Sequence, residues 1–105
     1  LGHCVSNKVT SASICDSLLA PTPGELTFSL NKNLLAGGFA VTDKETMNAV
    51  RVAFNFFKLV LEPGGAVALA AVLSHKIETK NKTICVVCSG GNVDSDLFIR
   101  IITGN

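Results

Sequence analysis

The chain is poor in charge: only 16% of its 105 residues are Asp, Glu, Lys or Arg, against roughly 25% in ordinary soluble domains. Because 48% are hydrophobic, disorder is excluded, and the length fits at most one domain. So much apolar surface exceeds what a small domain normally covers by itself, so a missing partner or a missing remainder of the chain is expected. No basic block is present. The nine Lys and Arg are scattered and the formal net charge is +1, which leaves no electrostatic footprint for nucleic acid or an anionic membrane; neither partner is expected. An unbroken apolar run is also lacking: the stretch from Phe54 to Leu73 is interrupted by Lys58 and by Glu62-Pro63-Gly64-Gly65, and so reads as two elements rather than one membrane span. Repeats, low-complexity tracts and long linkers are absent too, which gives no internal domain boundary.

The four cysteines, Cys4, Cys15, Cys85 and Cys88, are even in number but lie in core-like surroundings, with no secretory segment before them. Free thiols in a reducing cytoplasm are expected. Cys85 and Cys88 form a C-x-x-C, the spacing of a redox pair or of half a zinc site. They sit, however, in the apolar, β-like run Thr83-Ile84-Cys85-Val86-Val87-Cys88, whereas redox motifs open a helix and zinc ligands sit on turns. His3 and His75 have no partner at metal or catalytic spacing. His75, beside Lys76 near a helix end, favours the helix dipole.

Local pattern orders the rest. Leu1 to Thr22 has little periodicity and reads mostly as loop, with Ala20-Pro21-Thr22-Pro23-Gly24 as a breaker. Leu26, Leu30 and Leu34 recur every four residues, a helical stripe over Glu25 to Leu35 with Gly37-Gly38 beyond its end, and a short strand follows at Phe39 to Val41. Thr42-Asp43-Lys44-Glu45 has the form of a capping box. It predicts a helix from about Asp43 to Val60, whose buried face carries Met47, Val50, Phe54 and Phe57, with Leu61 beyond. After the Glu62-Pro63-Gly64-Gly65 turn, Ala66 to Leu73 is small and apolar on every side, as in a helix packed between neighbours. Glu78 to Lys82 is a polar loop. Thr83 to Cys88 has the β-branched character of a strand buried on both faces, and a last helix is expected near Asp94 to Ile102. Helices alternating with short buried strands make the fold class α/β.

Two elements could carry chemistry. Ser89-Gly90-Gly91-Asn92 lies where a buried strand ends and a helix begins, the edge at which open α/β sheets place their ligands. Glycines there let a ligand approach the backbone, and a serine hydroxyl both donates and accepts. A plain strand-to-helix turn capped by Asn92 or Asp94 accounts for the same residues. Glu62 puts one carboxylate between two strongly apolar helices, where it is either solvated at a turn or held for a purpose.

Ser13-Ile14-Cys15-Asp16, Pro23-Gly24-Glu25-Leu26-Thr27-Phe28, Val41-Thr42-Asp43-Lys44-Glu45, Lys58-Leu59-Val60-Leu61-Glu62-Pro63-Gly64-Gly65-Ala66 and Ser89-Gly90-Gly91-Asn92-Val93-Asp94 follow one another in the order and spacing of landmarks in the threonine/serine dehydratases. The chain resembles that family from about Ser11 to Gly104. The resemblance implies a fold-type-II pyridoxal-phosphate enzyme, related also to serine racemase, with a three-layer open sheet of the tryptophan synthase beta-like type. The implied activity is loss of water and ammonia from threonine or serine to give a 2-oxo acid, and the electron sink is the cofactor's own chemistry. Ser89 matches the family serine that hydrogen-bonds the pyridine ring nitrogen. A hydroxyl there, in place of a carboxylate, leaves that nitrogen unprotonated and moderates the sink. Glu62 matches a glutamate close to the ring, and Gly90 and Gly91 match the glycines that give the ring room. Lys58 and Asn92 match positions that contact a nucleotide effector in the serine racemase branch.

What the resemblance demands and the chain lacks is equally specific. The family's Schiff-base lysine, its phosphate-binding glycine loop and the carboxylates for a divalent cation all precede the region matched here. No catalytic residue is therefore assigned in this chain. Residues 1–105 are expected to form the C-terminal portion of the pyridoxal-phosphate-dependent large domain, without its N-terminal remainder and inactive alone. The complete enzyme is expected to be a cytoplasmic homo-oligomer acting on a small hydroxy amino acid. Hydroxyaspartate dehydratase, serine racemase and a stand-alone, non-enzymatic module derived from the same fold are the alternatives.

Overall fold

The computed structural model describes residues 2–7 and 12–104. Residues 1 and 8–11, which belong to the expected N-terminal loop and include Lys8 and Ser11, lie outside the described part. A 3-10 turn at Asp16–Leu18 interrupts that loop. Four helices follow: α1 (Glu25–Asn31), α2 (Asp43–Val52), α3 (Pro63–Leu73) and α4 (Ser95–Thr103). No helix among the described residues is long and apolar enough to cross a membrane.

Helix α2 begins at the predicted capping box. The Thr42 hydroxyl accepts from the Glu45 amide at 3.2 Å, and the Glu45 carboxylate accepts from the Thr42 amide at 2.7 Å, so two of the helix's unpaired donors are satisfied. The Thr42 amide, then the Thr42 hydroxyl donating to the same carboxylate at 3.0 Å, and the Lys76 ammonium at 3.3 Å hold the Glu45 carboxyl below its ordinary value of 4.5. The helix predicted to reach Val60 is shorter. It loosens into a π turn at Ala53–Phe57 and stops at Lys58, whose left-handed φ of 59° lets the Leu59 amide donate back to the Ala53 carbonyl at 3.1 Å. Glycine usually takes that position, because a Cβ there is strained. The reversal drives Leu61 into the core at 5% exposure.

The core lies where α2 packs against α3 and α4. Ala49 and Val50 of α2 and Ala53 of the π turn meet Leu61 just before α3, Ala66 and Ala70 of α3, and Ile101 of α4. Phe54 and Phe98 close one end edge to face, centroids 5.3 Å apart. Arg51 Nε donates to the Ile101 carbonyl at 3.1 Å, placing a cation on the C-terminal turn of α4, where the helix dipole favours one. The alanines of α3 set the close approach of the two long helices; larger side chains there would force them apart.

Three expectations are corrected. Phe39 to Val41 and Thr83 to Cys88 are not strands: both are irregular, and no sheet is present among the described residues. A strand exists only against a neighbour that takes its amides and carbonyls, and neither run has such a neighbour within the described chain. For the same reason Thr83 to Cys88 is open where burial on both faces was expected, Val87 being 71% exposed. The leucine stripe is also uncovered: α1 ends at Asn31, and Leu26, Leu30 and Leu34 are all exposed, since no described element packs on this seven-residue helix. Helix α3 is covered on one side only, with Ala66, Ala70 and Ala71 buried but Ala68 exposed. The α/β reading thus rests on the similarity to solved structures given below and not on strands in this chain.

Candidate cofactor site

Glu62 is the N-cap residue of α3, with φ −73° and ψ 155°, and Pro63 follows inside the helix. Proline is pre-set for that first position and its missing N–H costs nothing there. The Glu62 carboxylate does not cap its own helix and is left for another partner. Its backbone amide donates to the Gly90 carbonyl at 3.0 Å. That bond brings the turn before α4 alongside the turn before α3, across 28 residues of sequence.

The contact between the two turns is made of backbone, and glycine is what permits it. A Cβ on Gly65 would stand 2.8 Å from both the amide nitrogen and the carbonyl oxygen of Gly90, and one on Gly91 would stand 2.7 Å from the Val60 carbonyl. A Cβ on Gly90 would run into the Glu62 carboxylate. The glycines are therefore needed on the side facing 60–65. On chain geometry alone, they are explained by this approach of backbone to backbone, before any ligand is considered.

Glu62, Gly90 and Gly91 are thus brought together as a single site, and Ser89 adjoins them by sequence. Ser89 is exposed, and its hydroxyl has no hydrogen bond to a described residue. Asn92 is likewise exposed. Lys58 caps the π turn, two residues before Val60, with its ammonium donating to the Asn55 carbonyl at 2.8 Å. The glycine turn then tightens, the Val93 amide donating to the Gly91 carbonyl at 3.0 Å. Asp94 starts α4 by accepting from the Asp96 amide at 2.9 Å, as its place after the glycines predicts. Gly65 and Val60 complete the contact without having been singled out; the doubled glycine after Glu62-Pro63 was the available signal.

These groups suit one part of a flat heteroaromatic cofactor. A free hydroxyl can bond a ring nitrogen, a carboxylate can sit at the ring edge, and a bare glycine backbone lets a ring come close. A phosphate dianion needs several convergent amides or a cation, and these residues do not bring them. The residues present therefore fit the ring of pyridoxal phosphate and not its phosphate group. All four cysteines are free, Cys85 and Cys88 exposed among them.

A family model described as pyridoxal-phosphate dependent enzyme matches residues 2–90. The chain is 38% identical over 90 residues to an L-threonine ammonia-lyase of Thermotoga maritima, covering 86% of this chain and 22% of that protein. It is 35% identical over 92 residues to a serine racemase of Dictyostelium discoideum, covering 86% of this chain and 28% of that one. Among solved structures, a threonine deaminase from T.th. superposes with a TM-score of 0.80 at 29% identity, over 89% of this chain and 31% of the other. The chain spans about a quarter of the length of the curated relatives it matches.

Proposed function

As this chain belongs to the pyridoxal-phosphate dependent enzyme family, we propose that it is the C-terminal portion of the large domain of a threonine or serine ammonia-lyase and receives the ring of the cofactor. The observation that carries the reading is the seating of the Gly90-Gly91 backbone on Val60, Glu62 and Gly65, which sets the Glu62 carboxylate against Gly90, next in sequence to the exposed Ser89. Bound pyridoxal phosphate supplies the electron sink for α-proton loss and expulsion of a β-hydroxyl. The residues of this chain hold and orient. Ser89 would donate its hydroxyl to the unprotonated ring nitrogen, Glu62 would stand at the ring edge, and Gly90 and Gly91 keep that side of the site free of side chains. Lysine attachment, phosphate binding and any divalent cation fall to a portion of the enzyme other than these residues, as does most of the substrate's surroundings.

Serine racemase is the second reading, favoured by the 35% identity to a relative of that name; hydroxyaspartate dehydratase is a third within the same chemistry. In the racemase reading Lys58 and Asn92, both exposed, contact a nucleotide effector. The complete enzyme is read as a cytoplasmic homo-oligomer.

Ser89→Ala tests the assignment. Loss of one neutral hydrogen bond costs about 0.5–1.5 kcal/mol, so turnover on threonine or serine should fall about 2- to 10-fold while cofactor content is largely kept. Steady-state kinetics equal to those of the parent would remove Ser89 from the ring nitrogen.

A further inference from the structure

We propose that Gly65 is a positioning residue for the cofactor ring, fixing where the Ser89-Gly90 peptide sits against Glu62; the proposal rests on the reading just given. A Cβ at Gly65 would stand 2.8 Å from both the amide nitrogen and the carbonyl oxygen of Gly90 and 3.3 Å from its Cα. That nitrogen is the atom that joins Gly90 to Ser89, so the contact falls on the link between the hydroxyl-bearing residue and the glycine beside Glu62. The same glycine abuts the Glu62 carboxylate, which a Cβ on it would strike, and its carbonyl accepts from the Glu62 amide at 3.0 Å.

Packing decides which side of the contact yields. Gly65 is buried in the first turn of α3 next to Ala66, which belongs to the core. The Gly65 amide donates to the Glu62 carbonyl at 3.1 Å, with Pro63 and Gly64 buried between them, so Glu62 and Gly65 belong to one rigid turn. Ser89, Gly91 and Asn92 are exposed, and the turn that carries them has room to give. Carbon contacts become favourable only at about 3.5 Å, so a methyl at position 65 would push the Ser89-Gly90 peptide off α3 by roughly half an ångström, and with it the glycine that abuts Glu62. A site has to hold its groups within about 0.5 Å of the productive geometry. The missing side chain at 65 thus sets the spacing on which the ring is seated. Gly64 is different: a Cβ there would meet the end of the Ser17 side chain, which can rotate away.

Gly65→Ala in the complete enzyme adds one methyl at this contact, and alanine's better helix propensity offsets part of the crowding, so the variant should fold with a cooperative melt. Titration of its apoenzyme with pyridoxal phosphate, followed by absorbance, should show Kd raised about 2- to 10-fold and a shifted absorption band for the bound cofactor. Gly64→Ala, the same change one residue earlier, should keep Kd within about 2-fold of the parent. Because Gly65 acts through the Ser89-Gly90 peptide, Gly65→Ala combined with Ser89→Ala should bind no more weakly than the weaker of the two single variants. Parent-like Kd and absorption in Gly65→Ala overturn the proposal, and so does an equal loss in Gly64→Ala or a pair of losses that multiply in the double variant. A Gly65→Ala enzyme that no longer folds overturns it too, since the contact then serves folding alone. Ser89→Ala that is itself parent-like in turnover and Kd removes the reading beneath the proposal, and the proposal with it.

Discussion

Thr46 is the largest polar side chain fully enclosed by the protein, and its hydroxyl has no hydrogen-bond partner among the described residues. It sits on the face of α2 that also buries Ala49 and Val50. A buried hydroxyl without a partner costs the desolvation of that group, about 1–3 kcal/mol. Thr46→Val keeps the shape and removes that cost, so denaturant unfolding should show a gain of about 1 kcal/mol with an unchanged m-value. A loss of stability would mean that the hydroxyl finds a partner in the complete enzyme. At the same scale the glycines of the two turns carry steric information that no single window of sequence holds. Gly91 is fixed by the Val60 carbonyl and Gly65 by the Gly90 backbone, contacts spanning 31 and 25 residues.

The start of α2 was legible from the sequence because everything it needs lies within four residues: Thr42 and Glu45 satisfy each other's amides. Asp94 at the start of α4 was legible for the same reason. The end of α2 was not, since a π turn and a left-handed Lys58 leave no compositional mark and are set by the burial of Leu61. The runs at Phe39 and Thr83 carry the composition of strands, and what decides whether they pair is a neighbour that local pattern cannot supply. Of the site, Glu62 and the Ser89-Gly90-Gly91 turn were visible as motifs, while their convergence was visible only through resemblance to a family. The capping box offers a test at this scale. Thr42→Ala should cost about 0.5–2 kcal/mol at neutral pH, as N-cap losses do. Glu45 titrates below 4.5 in the folded chain, so the stability it contributes is full above its unfolded value and disappears as pH falls through the folded one. Thermal melts of parent and variant from pH 7 down to pH 3 should therefore converge as the carboxyl is protonated. A constant difference across that range would show that the reciprocal bonds do not act together.

As a whole the chain is flat, measuring 42 × 37 × 18 Å with a radius of gyration of 14.9 Å, where about 13 Å is usual for this length. Its accessible surface is 7716 Å², against roughly 5,600 Å² for a compact monomer of this mass. The excess includes Leu34, Phe56 and Val87, each more than two-thirds exposed, together with an open apolar groove of about 280 Å³ between Phe39, Val41, Ile84, Val86 and the uncovered side of α3. Such surface favours association. The 105-residue chain alone should sediment as concentration-dependent oligomers and melt below the roughly 45–65 °C of mesophile domains, and joining it to the lysine-bearing portion should raise both solubility and Tm. A monomer with a sharp, concentration-independent transition above that range would favour a stand-alone module. The central claim is that this chain holds the ring of pyridoxal phosphate while the lysine that binds the cofactor covalently belongs to another portion of the enzyme. Borohydride reduction of the holoenzyme followed by peptide mass mapping tests it most directly. The account predicts a single reduced pyridoxyl-lysine outside these 105 residues; the label on Lys8, Lys32, Lys44, Lys58, Lys76, Lys80 or Lys82 would contradict it.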